Sequence, residues 1–241
     1  MTSERQDIHN SDIPLLCRSC EARHQGMCGV LNPQELVELA RHTHKARHDE
    51  GAELIGDSTE IRSYANVMRG VVKLSKTLED GRQQVVGLQF APDFLGRLFG
   101  HENVTNAQAA SPVELCVVPR PALERMMAAN PALEKRLLRQ TLRELDEARD
   151  WMVTLGRKTA GEKVASFLWL IATHLDPAGE SSDGAEFDLP LSRADIGDFL
   201  GLTIETVSRH MSKLRQAGVI AITRNRHIEV PDLEALRNCC G

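Results

Sequence analysis

The sequence predicts an α+β protein in which a block of short β-strands precedes one long helix and a mainly helical C-terminal block. Three patterns support this prediction. Glycines punctuate short apolar stretches through residues 36–129, an apolar heptad stripe runs through residues 130–156, and residues 157–241 carry the signals of short helices. With 241 residues, of which 41% are hydrophobic, the chain can bury one large core or two smaller cores.

The charge balance and the N-terminus restrict the class of protein. A net charge of −5 gives no general affinity for nucleic acid, so nucleic-acid binding would need a local basic patch. Residues 1–14 are polar and lack the apolar segment of a signal peptide. The longest apolar run, residues 164–175, is too short and too polar to cross a bilayer. We therefore expect a soluble, cytoplasmic protein without a membrane partner.

Residues 36–129 have the features of a small β-roll. Apolar and polar residues alternate at residues 72–74 and again at residues 86–90. Asp80-Gly81 lies between these stretches and is a strong signal for a β-hairpin. Many short strands separated by glycine turns favour a barrel or roll.

Residues 130–156 predict one long helix. Asn130 is a plausible N-cap, Pro131 suits the first helical position, and Gly156 is a plausible stop. Apolar or small residues recur in steps of three and four, which is the pattern of a coiled-coil seam. A stripe this regular favours pairing with a second copy of the chain, and packing on its own domain is the alternative. The stripe consists of Leu138, Thr141, Leu145, Ala148, Met152 and Leu155.

The C-terminal block, residues 157–241, contains the spacing of a helix–turn–helix. Residues 192–195 have the form of a capping box, with Asp in place of the usual Glu. Gly201 suits a tight turn, and Thr203 can cap a second helix over residues 204–217 that ends at Gly218. Residues 219–223 and 227–230, joined by a turn, read as a β-hairpin wing.

One face of the second helix has the character of a base-reading surface. Glu205, Ser208 and Arg209 follow a spacing of i, i+3 and i+4, which places them together near the helix N-terminus. In a helix–turn–helix this part of the helix meets base edges, where Arg can bind guanine and Glu can accept from cytosine. The alternative is a surface helix with an ordinary polar face. The opposite, core-facing side is expected to hold Ile204, Val207, Met211 and Leu214.

The residues around this face predict contacts with the DNA backbone. Thr203 precedes the helix, and Lys213 and Arg215 follow the base-reading residues. From residue 205 to residue 226, Glu205 is the sole acidic residue. An acidic residue at the front of a basic face is unusual for phosphate binding alone, so it favours a role in reading bases.

Four of the six cysteines suggest a metal site. Cys17, Cys20 and Cys28 form a compact Cys-x2-Cys-x7-Cys pattern in residues 1–35, and Cys116 would join them if this segment folds back on its strand. Four thiolates suit either a [4Fe–4S] cluster or an all-cysteine zinc site, and the spacing alone does not decide between them. Unrelated free thiols are the third possibility. Cys239 and Cys240 lie in a short polar tail and are not expected to be ligands.

These motifs together resemble the cyclic-AMP receptor protein superfamily, and within it the FNR branch, over essentially the whole chain. Residues 196–209, with Glu-x-x-Ser-Arg at 205–209, are close to the FNR recognition region. The cysteine spacing is similar to that of FNR-type regulators of alphaproteobacteria. The resemblance implies a cyclic-nucleotide-binding-like sensor roll, a dimerisation helix and a winged helix–turn–helix. It also implies a [4Fe–4S] cluster on Cys17, Cys20, Cys28 and Cys116.

The resemblance further implies an oxygen-responsive transcription regulator that acts as a homodimer when oxygen is low. Glu205, Ser208 and Arg209 would read a TTGAT-type half-site of palindromic double-stranded DNA, and RNA polymerase would be a partner. A zinc or thiol-redox switch on the same fold remains an alternative. An enzyme is not expected, because the sequence contains no nucleotide-phosphate loop and no catalytic constellation.

Cyclic-nucleotide binding is not expected either. Relatives that bind cyclic nucleotides hold the ribose with a Glu after a Gly, and this chain has Arg97 after Gly96. They hold the phosphate with an Arg followed by Ser or Thr, and residues 107–112 contain no Arg. An anionic phosphate would therefore lack its charged partner.

Overall fold

The computed structural model describes residues 13–18, 20, 23–175 and 184–241, so residues 1–12 of the polar N-terminal lead lie outside the described part. The chain forms two compact units. The first contains Met1–Leu74 and Leu88–Glu144, and the second contains Ser75–Gly87 and Leu145–Gly241. The fold is a mixture of helices and sheets, as the sequence predicts.

The helices and strands of the described residues follow the predicted order of roll, long helix and helical C-terminal block, but two helices before the roll were not predicted. The helices are α1 Leu15–Arg18, α2 Pro33–His42, α3 Arg120–Ala129, α4 Pro131–Arg157, α5 Ala160–Leu175, α6 Arg193–Leu200, α7 Ile204–Gln216 and α8 Leu233–Asn238. The strands are β1 His44–His48, β2 Glu53–Ile55, β3 Ser63–Arg69, β4 Val72–Thr77, β5 Gln83–Gln89, β6 Phe94–Leu95, β7 Asn106–Ala109, β8 Val113–Pro119, β9 Ala185–Asp188, β10 Ala221–Thr223 and β11 His227–Val230.

The roll is built from two four-stranded sheets. The first has the strand order β1-β8-β3-β6 with antiparallel pairing, and the second has the order β2-β7-β4-β5. The hairpin predicted from Asp80-Gly81 joins β4 to β5, and Gly81 has a φ of 85°. A positive φ is a conformation that glycine adopts without steric cost, which explains its place in this turn.

The first sheet has a hydrophobic cluster on each of its faces. Because side chains alternate along a strand, Ala65 and Val67 of β3 face the interior of the roll, where they meet Leu115 of β8. Tyr64 of the same strand lies on the opposite face. There it packs with Val118 and with residues of α2, α3 and the start of α4. We call this second side the outer face of the first sheet.

Helix α4 begins where the sequence predicts. The Asn130 side chain accepts hydrogen bonds from the backbone N–H groups of Ala132 (3.0 Å) and Leu133 (3.2 Å), so Asn130 caps the helix. The predicted stop at Gly156 is wrong by a small margin, because the helix continues through Arg157. Leu133 and Leu137, on one side of the helix, are buried in the cluster on the outer face.

The second unit contains the predicted helix–turn–helix and wing. Helix α5 supplies fully buried apolar residues, including Phe167, whose ring lies 5.9 Å from that of Phe199 in α6. The wing strands β10 and β11 pair with β9 in a three-stranded sheet of order β10-β11-β9. Strand β9 was not predicted from the sequence. Among the described residues, no helix combines the length and the apolar character that a membrane span requires.

Candidate metal centre and DNA-binding surface

Cys116 lies on the outer face of the first sheet. Its neighbours in strand β8, Leu115 and Val117, pack with the interior of the roll, so the alternation of the strand directs Cys116 to the other side. Cys116 pairs directly with Lys45 of β1 and with Asn66 of β3. Residues paired across antiparallel strands share a face, so these three side chains form a row.

The N-terminal segment that carries Cys17, Cys20 and Cys28, which we call the cysteine segment, folds back over this face. Cys17 lies in α1, and Cys28 lies in the 3-10 turn Met27–Val30, whose Met27 is fully buried in the outer cluster. The amide nitrogen of Asn66 donates to the sulfur of Cys28 at 4.0 Å. The segment therefore meets the condition that the sequence set for Cys116 to join the other three cysteines.

The turn that carries Cys28 depends on a close backbone approach. A Cβ atom at Gly29 would lie 2.6 Å from the carbonyl oxygen of His24, a distance that real Cβ atoms do not reach. Glycine at this position therefore allows the segment before Cys28 to pack against the turn.

The four thiols form one electrostatic cluster. Burial raises the pKa of Cys28 far above its ordinary value, and the neighbouring Cys116, Cys17 and Cys20 raise it further. Burial also raises the pKa of Cys116 to about 11, with contributions from Cys20 and Cys17. The pKa of Cys17 is raised by burial and then by Cys20. Each pair among the four thiols is therefore linked by an electrostatic effect of one thiol on the pKa of the other.

Two basic side chains oppose these effects. Arg23 lowers the pKa of Cys17 and of Cys28, and Lys45 lowers the pKa of Cys17 and of Cys116. Arg23 is buried, whereas Lys45 is exposed. Positive charge beside the cluster favours the thiolate form that binds metals.

The four sulfurs are spread more widely than the ligands of a single zinc ion. No three of these four sulfur atoms, all of them in the described part of the chain, lie within 4.8 Å of one another. Tetrahedral zinc, with Zn–S bonds of about 2.3 Å, holds its thiolates about 3.8 Å apart.

The tail cysteines lie apart from this cluster, in the second unit. Both follow α8, but Cys240 is buried rather than part of a free polar tail, which corrects the expectation from the sequence. Its thiol donates to the carbonyl oxygen of Leu236 at 3.4 Å, and burial raises its pKa. These contacts are typical of a cysteine that packs as a small apolar residue.

The helix–turn–helix has the local geometry that its sequence predicts. Ser192 and Asp195 form the capping box at the start of α6, and Gly201 ends the helix in the left-handed region with a φ of 64°. The side chain of Thr203 accepts from the backbone N–H of Thr206 and caps α7. A Cβ at Gly197 would lie 2.6 Å from the carbonyl oxygen of Leu202, so glycine lets the turn pack against α6.

Helix α7 presents a polar face and buries an apolar one. Glu205 and Arg209 are exposed and Ser208 is partly exposed, whereas Val207 and Met211 are buried. The expectation that Ile204 faces the core is wrong, because this residue is 49% exposed. Ile204 is the first residue of the helix, next to the exposed cap Thr203, and the packed side of α7 begins at Val207.

The charges on this surface suit contacts with both bases and phosphates. The pKa of Glu205 is lowered by a hydrogen bond from its own backbone N–H and then by the Thr203 side chain, so its carboxylate is ionised and can only accept. Lys213 and Arg215, in the last turn of α7, are exposed. Their predicted contacts with DNA stay predictions.

The wing turn is held close to the helix–turn–helix. The guanidinium of Arg193 at the start of α6 donates to the carbonyl oxygen of Asn225 at 3.3 Å and also contacts the sulfur of Met211. Arg224 and Asn225, in the wing turn, have φ values of 50° and 62°. The turn therefore has the positive φ values typical of a tight hairpin.

The predicted stripe on α4 is accessible in the single chain. Leu138, Leu145 and Met152 are 57%, 44% and 72% exposed, Thr141 and Ala148 are also exposed, and Leu155 is partly buried. Leu142 and Val153 are exposed as well and were not predicted as part of this surface. Large apolar side chains in a continuous exposed row favour a protein–protein contact.

The fold and these two surfaces define a class of protein, namely a regulator with a β-roll and a winged helix–turn–helix that binds DNA. Residues 162–239 match the model described as a Crp-like helix-turn-helix domain, and residues 47–130 match the cyclic nucleotide-binding domain. The chain is 52% identical over 236 residues, 98% of each chain, to a probable transcriptional activator of Rhizobium leguminosarum bv. viciae.

Two further relatives agree with this class. The transcriptional activator protein FnrL of Cereibacter sphaeroides is 40% identical over 228 residues, 93% of this chain and 92% of that protein. The structure of FixK2 from Bradyrhizobium japonicum superposes with a TM-score of 0.74 at 32% identity, covering 83% of this chain and 98% of that one. The chain belongs to the CRP/FNR family. It is a DNA-binding transcription regulator of the FNR and FixK type, and it is not an enzyme.

Proposed function

We propose that this regulator responds to oxygen, and that it binds palindromic DNA as a homodimer while a [4Fe–4S] cluster is held by Cys17, Cys20, Cys28 and Cys116. The observation that carries the proposal is the convergence of these four thiols on one face of the first sheet. They come from two segments separated by more than eighty residues of sequence.

The residues present fit an iron–sulfur cluster. The donor set is all thiolate, which suits iron–sulfur clusters and zinc but not harder ions. The Cys-x2-Cys-x7-Cys spacing, which resembles that of FNR-type regulators, favours the cluster over a single zinc ion. When bound, the cluster supplies a redox group that is sensitive to oxygen. The four cysteines must lose their protons to bind it, and Arg23 and Lys45 offset the resulting negative charge.

Contacts within the first unit connect the cysteine segment to helix α4. The guanidinium of Arg136 donates to the carbonyl oxygen of Gln25, and the amide of Asn130 donates to Glu35 at 2.8 Å. Leu133 and Leu137 share their hydrophobic cluster with Met27 and Cys28. An ordered cysteine segment therefore favours one position of α4. When the segment loses its order, the population of chains shifts towards other positions of this helix.

The exposed stripe on α4 supports a homodimer. Paired stripes would bury the side chains that a single chain leaves in water. Two recognition helices related by a twofold axis then meet successive major grooves of a palindrome. Glu205, Ser208 and Arg209 would read each TTGAT-type half-site, Thr203, Lys213 and Arg215 would contact the backbone, and RNA polymerase is the expected partner at promoters.

We further propose that the roll binds no cyclic nucleotide, and the lining of its cavity supports this. A cavity of about 690 Å³ in the first unit has four charged residues in its lining, namely Arg97, Lys135, Glu134 and Glu144. Its buried lining consists of Phe94, Leu95, Ala107, Met127 and the uncharged Gln89. A phosphate among these buried residues would have no cation as a partner.

Anaerobic purification tests the proposal directly. We expect about four iron and four sulfide per chain and visible absorbance that bleaches in air. Specific DNA binding should be lost as the absorbance bleaches. The Cys239→Ser protein is the matched control, because it removes a thiol outside the cluster. Zinc without iron would support the zinc alternative, and a colourless protein with air-dependent thiol oxidation would support a dithiol switch. Either result would overturn the proposed cluster.

A further inference from the structure

Asn66 is a buried polar side chain placed between two of the cysteines. It is 5% exposed, pairs with Cys116 across β3 and β8, and directs its amide nitrogen at the sulfur of Cys28 at 4.0 Å. On its other side it pairs with the buried Phe94 of β6. Asn66 therefore lies next to two of the four clustered thiols.

The hydrogen bonding of Asn66 is incomplete in a way that calls for an explanation. Its side-chain oxygen is buried and has no hydrogen-bond partner. Burying an amide without partners costs free energy, and an apolar residue would fit a strand whose neighbours Ala65 and Val67 are buried. Its amide does make one contact, and that contact is with a candidate metal ligand.

The chemistry of the thiolate determines which atom of the Asn66 amide can form a hydrogen bond with it. A thiol can donate weakly or accept, but a thiolate can only accept. An N–H group directed at Cys28 therefore interacts best with the deprotonated, metal-binding form of the sulfur. Hydrogen bonds to the sulfurs of iron–sulfur clusters are among the factors that set their reduction potential.

We propose that Asn66 is a positioning residue that donates an N–H hydrogen bond to the Cys28 sulfur of the cluster, and so raises the reduction potential of the cluster and strengthens its retention. This inference rests on the proposed function, because it presupposes that the four cysteines hold a cluster. Partners of this kind, beyond the direct ligands, commonly orient ligands and tune a metal centre.

Replacing the amide tests the inference in the anaerobically purified full-length protein. Asn66→Leu keeps the approximate size and removes the donor, and Asn66→Ala removes the donor without placing a new group beside the cysteines. We expect both variants to have a lower midpoint potential in a reductive titration. We also expect loss of iron to a chelator to be roughly tenfold faster, as for one hydrogen bond to a charged group.

Gln89→Leu is the matched control. Gln89 is also buried in the first unit, at 7% exposure, and its side-chain oxygen also has no partner, but it lines a cavity whose lining contains no cysteine. We expect this variant to have the wild-type potential and the wild-type rate of iron loss. Thermal unfolding of the metal-free proteins identifies any variant that fails to fold, and one folded Asn66 variant is sufficient for the test.

The outcomes separate the inference from the function on which it rests. If the wild-type protein holds a cluster and a folded Asn66 variant matches it in potential and iron loss, the inference fails while the proposed function stands. The same conclusion follows if Gln89→Leu changes both quantities as much as the Asn66 variants do. If the wild-type protein takes up no cluster, both fail together.

Discussion

Cys116 is available as a ligand because of the two-residue period of strand β8. Leu115 and Val117, on either side of it, pack with the interior of the roll, and Cys116 therefore lies beside Lys45 and Asn66 on the outer face. A shift of one residue in the strand register would place the thiol inside the roll. The cysteine residue type suggests metal binding, and the register of strand β8 places this thiol on the face over which the other three cysteines lie.

Each of the four clustered cysteines should be required for the cluster. Serine is a poorer ligand than cysteine for a soft iron site, so Cys116→Ser protein should lose most of its iron and sulfide. Cys239→Ser should keep the wild-type content, because Cys239 lies in the other unit. Iron and sulfide analysis of anaerobically purified proteins measures both. A full, stable cluster in Cys116→Ser protein would mean that the fourth ligand is a different residue.

Glu205 gives the sharper test of base reading. Its ionised carboxylate lies on an exposed face with Arg209, and removing it should strengthen binding to unrelated DNA while discrimination at one base pair is lost. We expect Glu205→Ala to lose about 1–3 kcal/mol of preference at that position. The measurement is anaerobic binding to the parent palindrome and to versions altered at each position of the half-site.

Lys213→Ala is the comparison for this experiment. Lys213 is exposed in the last turn of the same helix, and a phosphate contact would make its loss weaken all sequences about equally and reduce the salt dependence. A Glu205→Ala protein that retained the parent preference at every position would show that Glu205 does not read a base.

At the scale of single elements, α4 has two sides with different roles. Leu133 and Leu137 are buried in the cluster on the outer face, whereas Leu138, Leu145 and Met152 remain exposed. A helix whose apolar residues extend beyond one face can pack on its own unit and still offer a surface to a partner. This explains why the heptad pattern of the sequence did not distinguish the two alternatives.

A charge on the exposed stripe should prevent dimerisation without unfolding the chain. Leu145→Glu places a carboxylate where pairing would remove it from water, which is strongly unfavourable without a partner. Because Leu145 is 44% exposed in the single chain, the melting temperature of the monomer should change little. We expect anaerobic sedimentation to show monomers that do not bind the palindrome.

Arg143→Glu is the control for this change, because it alters the charge at an exposed position of the same helix outside the stripe. It should remain dimeric. A Leu145→Glu protein with the wild-type oligomeric state would mean that dimerisation uses another surface.

The elements that the sequence predicted best are those encoded locally. Ser192 with Asp195 and the turn glycine Gly201 act within a few residues, and each is found where predicted. Strand β9 and the row of Lys45, Cys116 and Asn66 were missed, because they depend on pairing between distant segments. Ile204 was predicted to be buried, because helical periodicity does not reveal where a packed face begins.

At the scale of the whole molecule, the central question is how the cysteine segment influences helix α4. Within the first unit, the described contacts between them include the hydrogen bond from Arg136 to the carbonyl oxygen of Gln25 and the shared packing of Met27 with Leu133 and Leu137. The packing is apolar and adaptable, whereas the hydrogen bond requires one position of the segment. The hydrogen bond is made by a terminal nitrogen of Arg136, while the Nε atom of the same guanidinium is buried without a partner.

Replacing Arg136 should therefore weaken the coupling while the cluster remains. Arg136→Met keeps the apolar stem, removes the hydrogen bond, and changes no cysteine, so iron and sulfide content should equal that of the wild-type protein. Couplings between sites are typically about 5–150-fold in affinity. We expect the ratio of dimer dissociation constants with and without the cluster to fall several-fold in this variant. Arg143→Met, one heptad further along the same helix and equally outside the stripe, should leave the ratio unchanged. If Arg136→Met kept the full ratio, the signal would pass through the hydrophobic packing of Met27 on α4, and a Met27→Ala protein should then show the reduced ratio instead.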